Sequence, residues 1–183
     1  MPLSPSGLLF PTPYWYFRKP LPEGTYEWCL DIKRNDNDTE VRSNVGGYHS
    51  PTCSNFFSPD FPYLEHLQNS LEGLPLFKFD NWWINIQEQG DYNISHTHPG
   101  VDLSGIWFIT PNNGTTIFEN PQQHTRHFIN EKFDDKDIFG QTSIVTANAG
   151  DIIIFPSDLV HHVKSHKLES PRISVSFNIN ILY

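Results

Sequence analysis

The chain has 183 residues, of which 14% are aromatic, 18% are charged and one is Met, a make-up that favours a single β-rich domain with an aromatic core over a bundle of long helices. A net charge of −9 with a pI near 5.3 is the wrong sign for a general phosphate-binding surface and disfavours nucleic acid as a partner. No stretch reaches the roughly 18 apolar residues of a membrane span, and Cys29 and Cys53 are too few and too far apart for a disulfide framework or a Cys-x-x-Cys metal site.

The opening Met1–Pro13 lacks the basic and continuously apolar segments of a signal peptide, so the expected location is the cytoplasm. A helix is expected around Leu21–Lys33, followed by a polar stretch, Arg34–Asn44. Ser43–Ser50 contains Gly46-Gly47 but not the Lys-Ser/Thr of a phosphate loop, and reads as a structural turn. A second helix is expected over Phe61–Glu72, where Leu64, Leu67 and Leu71 recur at helical spacing behind the start signal Ser58-Pro59-Asp60.

From Asn81 onward short β-type runs alternate with turns: Trp82–Gln87, Asp102–Thr110, Thr115–Glu119, Ser143–Ala147, Asp151–Phe155 and Arg172–Ile181. Such punctuation points to a sandwich or jelly roll rather than to βαβ units. Gln122–Gln141, of mixed charge and no clear period, is expected to be a long connection or lid. The whole chain, 1–183, is read as one domain, with 1–80 as helical and loop support and 81–183 as the jelly-roll core. The fold class expected is therefore mainly β, a double-stranded β-helix flanked by a few N-terminal helices.

The last run carries the clearest pattern. Ile173, Val175, Phe177, Ile179 and Ile181 alternate with Arg172, Ser174, Ser176, Asn178 and Asn180, which makes one apolar face and one polar face that must look into something wet. Arg172 beside Ser174 on that polar face is a carboxylate clamp, because the planar guanidinium offers two parallel donors and the hydroxyl a third. Upstream, His96-Thr97-His98 puts two imidazoles on one face of a strand. His161, where the Asp151–Phe155 run exits, offers a third. Imidazole suits Fe, Zn, Cu or Ni, and three such donors on one side leave positions open for substrate and oxygen. Trp83 and Asn85 are expected to line the same cavity, with Trp82 turned to the core. His162, adjacent to His161, is expected at the surface. His124, His127 and His166 sit in loop-like text, the first two facing substrate if their segment is a lid.

Gly90–Gly100, Leu103–Phe108, Phe118–Pro121, Gly150–Ser157, His161 and Arg172–Asn178, together with Leu9–Pro13 and Ser43–Ser50, resemble the 2-oxoglutarate/Fe(II) oxygenases of bacteria and their phages. The resemblance implies a cupin-like jelly roll that binds Fe(II) at its mouth and holds 2-oxoglutarate as co-substrate through Arg172 and Ser174, with Asn85 beside it. It implies a dioxygenase that hydroxylates a small molecule or a protein side chain with O2, releasing succinate and CO2.

The wider superfamily has a carboxylate where this chain has His98. Either His96, His98 and His161 are the metal ligands, the preferred arrangement, or Asp102 or Glu119 supplies the anion. The alternatives to the leading function are a three-histidine cupin dioxygenase that uses no 2-oxoglutarate and a jelly-roll binding module without chemistry. Arg172-x-Ser174 separates the first reading from both.

Overall fold

A computed structural model describes residues 11–36, 38–56, 58, 60–122 and 140–182. In chain order the elements are β1 (Trp15–Phe17), α1 (Thr25–Asn35), β2 (Asn44–Val45), β3 (Tyr48–His49), α2 (Leu64–Ser70), β4 (Phe77–Gln87), β5 (Tyr92–His96), β6 (Leu103–Phe108), β7 (Thr116–Glu119), β8 (Thr142–Val145), β9 (Ile152–Pro156), β10 (His161–Val163) and β11 (Arg172–Ile181). They form two antiparallel sheets, one ordered β1-β9-β6-β11-β4-β3 and the other β2-β5-β10-β7-β8. Among the described residues the fold is mainly β, a jelly roll flanked by two helices.

Period-2 alternation decides which side chains meet what. On β11 the apolar set Ile173, Val175, Phe177 and Ile179 is fully buried, joined from β4 by Trp82, Ile84 and Ile86. Against this face pack Cys29 of α1 and Leu67 of α2, with Phe61 and Leu71 flanking α2, so the helices serve as a backing for the larger sheet. A second cluster of Ile106, Phe108, Ile153, Phe155, Phe118 and Leu159 fills one part of the space between the sheets. The rest of that space, lined by the other face of β4 and β11, stays open as the cavity described below.

Both helices are shorter than expected. The first starts only at Thr25, because Pro20 and Pro22 interrupt the preceding text and Gly24 sits at φ 80, outside helical backbone. The second covers only Leu64–Ser70, since residues ahead of it are tied into turns by Phe61 N–H to Ser58 O (3.0 Å) and Asp60 N–H to Ser58 Oγ (3.2 Å). Four strands went unforeseen as such: β1, β2, β3 and β10. All are short, and pairing rather than internal pattern makes them strands. Ser43–Ser50 is more than a turn, for it places β2 on one sheet and β3 on the other. Gly47, at φ 68, permits the crossing, because a Cβ there would lie 2.8 Å from the Ile86 carbonyl oxygen. Cys29 is fully buried and Cys53 half-buried, and both are free thiols. The expected lid with His124 and His127 lies, for positions 123–139, outside the described residues.

Candidate active site

Between the sheets is a cavity of about 510 Å³ whose wall includes Arg172, Ser174, Ser176 and Asn178 from β11 and Asn81, Trp83 and Asn85 from β4, a volume in the range of small-molecule sites. The opposite wall brings His96 and His161. These two residues are directly paired across β5 and β10, and their ring centroids are 4.3 Å apart. His98 completes the cluster at 5.2 Å from His96 and 5.1 Å from His161. One ring nitrogen from each lies within 4.8 Å of the others. The spacing reaches this result by a route other than strand alternation. β5 ends at His96, and His98 sits in the following loop, held by its backbone N–H on the Ser157 carbonyl at 2.8 Å.

The hydrogen bonds settle which nitrogen carries the proton. His96 Nδ1 faces the Ile94 carbonyl oxygen at 2.8 Å and His161 Nδ1 faces the Leu159 carbonyl oxygen at 2.9 Å. A carbonyl only accepts, so both rings carry their proton on Nδ1 and keep a lone pair on Nε2. His98 Nδ1 lies 3.1 Å from Asn178 Oδ1. Burial holds His161 and His98 down to about 3 and about 4, and it lowers His96 as well. The rings are therefore neutral at pH 7, the form that binds a metal. Three neutral imidazoles with convergent lone pairs fit a divalent iron.

Arg172 is 3% exposed and fully enclosed. Its Nη1 donates to Gln87 Oε1 at 2.6 Å and its Nη2 to Thr116 Oγ1 at 3.2 Å, while its Nε has no partner. No carboxylate among the described residues pairs with it. Burial brings its pKa down to about 10, so it stays charged at neutral pH. A buried cation without an anion is costly, and Ser174 lies two residues along the same cavity wall, so this end of the cavity fits the carboxylate of 2-oxoglutarate. Asn85 also lines the wall and donates from Nδ2 to Ser176 Oγ at 3.1 Å.

The two acidic candidates are occupied elsewhere. Asp102 Oδ2 accepts the backbone N–H of Ile181 at 2.8 Å. Glu119 Oε1 accepts Ser95 Oγ–H at 2.6 Å and lies 3.5 Å from His162 Nδ1. His162 is half-buried against that carboxylate rather than fully at the surface, and His166 lies in a loop, as expected, but buried there with Nε2 2.6 Å from the Ser170 carbonyl oxygen.

Sequence reasoning did not find Ser43, His49 and Arg42, which line the cavity from the Gly46-Gly47 segment. Ser43 Oγ is 3.3 Å from His96 Nε2 and accepts Asn93 Nδ2 at 2.9 Å, and Asn93 Oδ1 accepts Gln87 Nε2 at 2.7 Å. A polar chain thus runs from Arg172 to a histidine of the cluster. The signal was the pair of polar residues flanking a Gly-Gly turn, which a turn reading absorbed. Asn178 was also passed over, although it stood on the polar face of the last strand.

A jelly roll holding in one cavity three clustered imidazoles and a buried arginine that no described carboxylate pairs has the make-up of a non-haem iron oxygenase. The sequence model of the family described as "Putative 2OG-Fe(II) oxygenase" matches residues 81–178. The chain belongs to this family and is an Fe(II)- and 2-oxoglutarate-dependent oxygenase. No curated protein matches it. Among solved structures it is similar to HygX from Streptomyces hygroscopicus with nickel and 2-oxoglutarate bound, at 12% identity over 94% of this chain and 84% of that one, TM-score 0.62. It is similar to a Pseudomonas putida prolyl-4-hydroxylase, at 13% identity over 94% of both chains, TM-score 0.60. The carbocyclase SnoK from nogalamycin biosynthesis aligns at 15% identity over 93% of this chain and 80% of that one, TM-score 0.63. At these identities the shared property is the fold. Among the described residues no helix is long and apolar enough to cross a membrane.

Proposed function

We propose that His96, His98 and His161 hold the Fe(II) through Nε2, and that Arg172 and Ser174 hold the distal carboxylate of 2-oxoglutarate with Asn85 alongside. The enzyme then hydroxylates a small molecule or a protein side chain. The bound iron and co-substrate supply O2 activation coupled to decarboxylation of 2-oxoglutarate to succinate and CO2. This chain's own residues do the rest. Backbone carbonyls of Ile94 and Leu159 keep two imidazoles in the ligating tautomer. Gln87 and Thr116 aim the guanidinium along the wall. The packed cluster of Phe118, Phe155 and Leu159 keeps water from the inner side of the site.

The observation that carries this reading is the enclosed guanidinium of Arg172, unpaired by any described carboxylate, in the same cavity as three neutral imidazoles. Calorimetric titration of the Ni(II)-loaded protein with 2-oxoglutarate tests it. Arg172→Leu is expected to weaken binding by about 3 kcal/mol, on the order of 100-fold, with circular dichroism unchanged, because charge-assisted hydrogen bonds are lost. Unchanged affinity would put the carboxylate elsewhere and favour a three-histidine cupin that needs no co-substrate.

A further inference from the structure

His98 differs from the other two histidines in one respect. Its Nδ1 partner is a side-chain amide, which presents an acceptor or a donor depending on which way it is turned, whereas a backbone carbonyl can only accept. Something must decide how the Asn178 amide faces. Asn178 Oδ1 lies 3.1 Å from His98 Nδ1 and also accepts Ser104 Oγ–H at 2.7 Å, while its Nδ2 donates to Asn81 Oδ1 at 2.8 Å. Asn81 in turn donates from Nδ2 to Asp80 Oδ2 at 2.7 Å, and Asp80 Oδ1 accepts Asn180 Nδ2 at 3.2 Å.

Only one group in this chain has a single polarity. An ionised carboxylate accepts and cannot donate, so Asn81 must turn its NH2 to Asp80 and its oxygen to Asn178. Asn178 must then turn its NH2 to Asn81 and its oxygen to His98, and His98 must carry its proton on Nδ1. The ring is left with a bare Nε2 to offer to the cluster it forms with His96 and His161.

The backbone is shaped for this. In the β4–β11 pairing Asn178 opposes Asn81 and Ile179 opposes Phe79, which leaves Asp80 as an extra residue without a partner. Such a bulge re-aims a side chain. Without it Asp80 and Asn81, as neighbours on a strand, would point to opposite faces of the sheet.

We infer that Asp80, through Asn81 and Asn178, is a positioning residue that sets the tautomer of His98 and so its competence as a metal ligand. The inference rests on the proposed ligand role of His98. It assigns to the bulge a negative charge that acts on the metal site from two amides away, in a chain whose third ligand is an imidazole instead of a carboxylate.

The test reads the histidine ring directly. Two-bond 1H–15N correlation spectra of the metal-free protein report which ring nitrogen carries the proton, and Ni(II) titration of the same samples reports affinity. Wild type is expected to show His98 as Nδ1–H alone. Asp80→Ala is expected to give a mixture with Nε2–H and about tenfold weaker Ni(II) binding, in line with losses on removing outer partners of metal ligands. Adding Asn178→Asp to Asp80→Ala puts an acceptor-only group beside His98 and should restore both the tautomer and the affinity, which repair of a merely structural defect at position 80 would not do. A wild-type tautomer and affinity in Asp80→Ala overturns the inference, and so does failure of the second substitution to restore them. His98→Ala separates the two layers of argument. If it binds Ni(II) as well as wild type does, the ligand role falls and the positioning role with it; if it loses affinity, the result for Asp80 stands or falls by itself.

Discussion

His161 and His162 are neighbours on β10 and face opposite ways. The ring of His161 is buried against His96, Phe118 and Phe155, and His162 turns to Glu119 on the other side of the strand. Their alanine variants should therefore separate. In Fe(II) reconstitution under anaerobic conditions, His161→Ala is expected to lose on the order of 100-fold in affinity and His162→Ala to bind almost as wild type, since even outer partners of a metal cost 10–100-fold when removed. Equal losses would mean that the two rings share the site. The same residue-level logic of donors and acceptors orders Arg172. A donor-only guanidinium at Gln87 Oε1 obliges Gln87 to donate onward to Asn93, and Asn93 to Ser43. Fixed-polarity groups thus stand at the far end of two chains that reach the histidines, a cation on one side and an anion on the other.

Among the elements, β11 does most to connect fold and site. It is paired on both sides, by β4 and by β6, and its two faces belong to different environments, the helix-backed core and the cavity. The pairing with β6 depends on Gly105. A Cβ at that position would come within 2.5 Å of the Phe177 ring and 2.8 Å of Ile154 Cδ1, both buried in the packed sheet. Gly105→Ala forces displacement in a full core and is expected to cost about 1–3 kcal/mol, a fall of a few degrees in Tm for a chain of this size. Calorimetry checks it. A Tm at or above that of wild type would show that β6 and β11 have room to separate. The Gly46-Gly47 crossing is the second such element, since it sends β2 to one sheet and β3 to the other and so carries Ser43 and His49 to the cavity from both sides.

For the whole molecule, the site is a set of neutral rings held out of water, and this has a pH signature. Burial lowers His49 and His66 as well as His96, and holds His98 and His161 at about 4 and about 3. In the unfolded chain the same residues titrate near pH 6.5. The unfolded state therefore binds protons first, so the stability these rings contribute is complete above about pH 6.5 and is lost progressively as pH falls toward the folded-state values. Urea unfolding of the metal-free protein is expected to show a lower midpoint at pH 5.5 than at pH 7.5. A midpoint that stays level or rises on acidification would show that the rings are open to water. Saturating Ni(II) should raise the midpoint at both pH values, because a ligand that binds only the folded state stabilises it by mass action.

What the sequence by itself determined was what can be read locally. The alternation of Arg172–Ile181 announced a strand with a wet face, since the side-chain period of a strand is 2 whatever it pairs with. His96-x-His98 and Arg172-x-Ser174 pointed to donors for a metal and a carboxylate because the two members of each pair are close in the chain. Only tertiary structure could decide the rest. β10, three residues long, becomes a strand by lying between β5 and β7, and that pairing is what sets His161 opposite His96. His98 reaches the cluster from a loop, tied to Ser157 some sixty positions away. Asp80 gains its place from a bulge that exists only relative to β11, about a hundred residues downstream. Such contacts leave no periodic trace, because hydrogen-bond partners brought together by a fold need no fixed spacing in the chain that forms it.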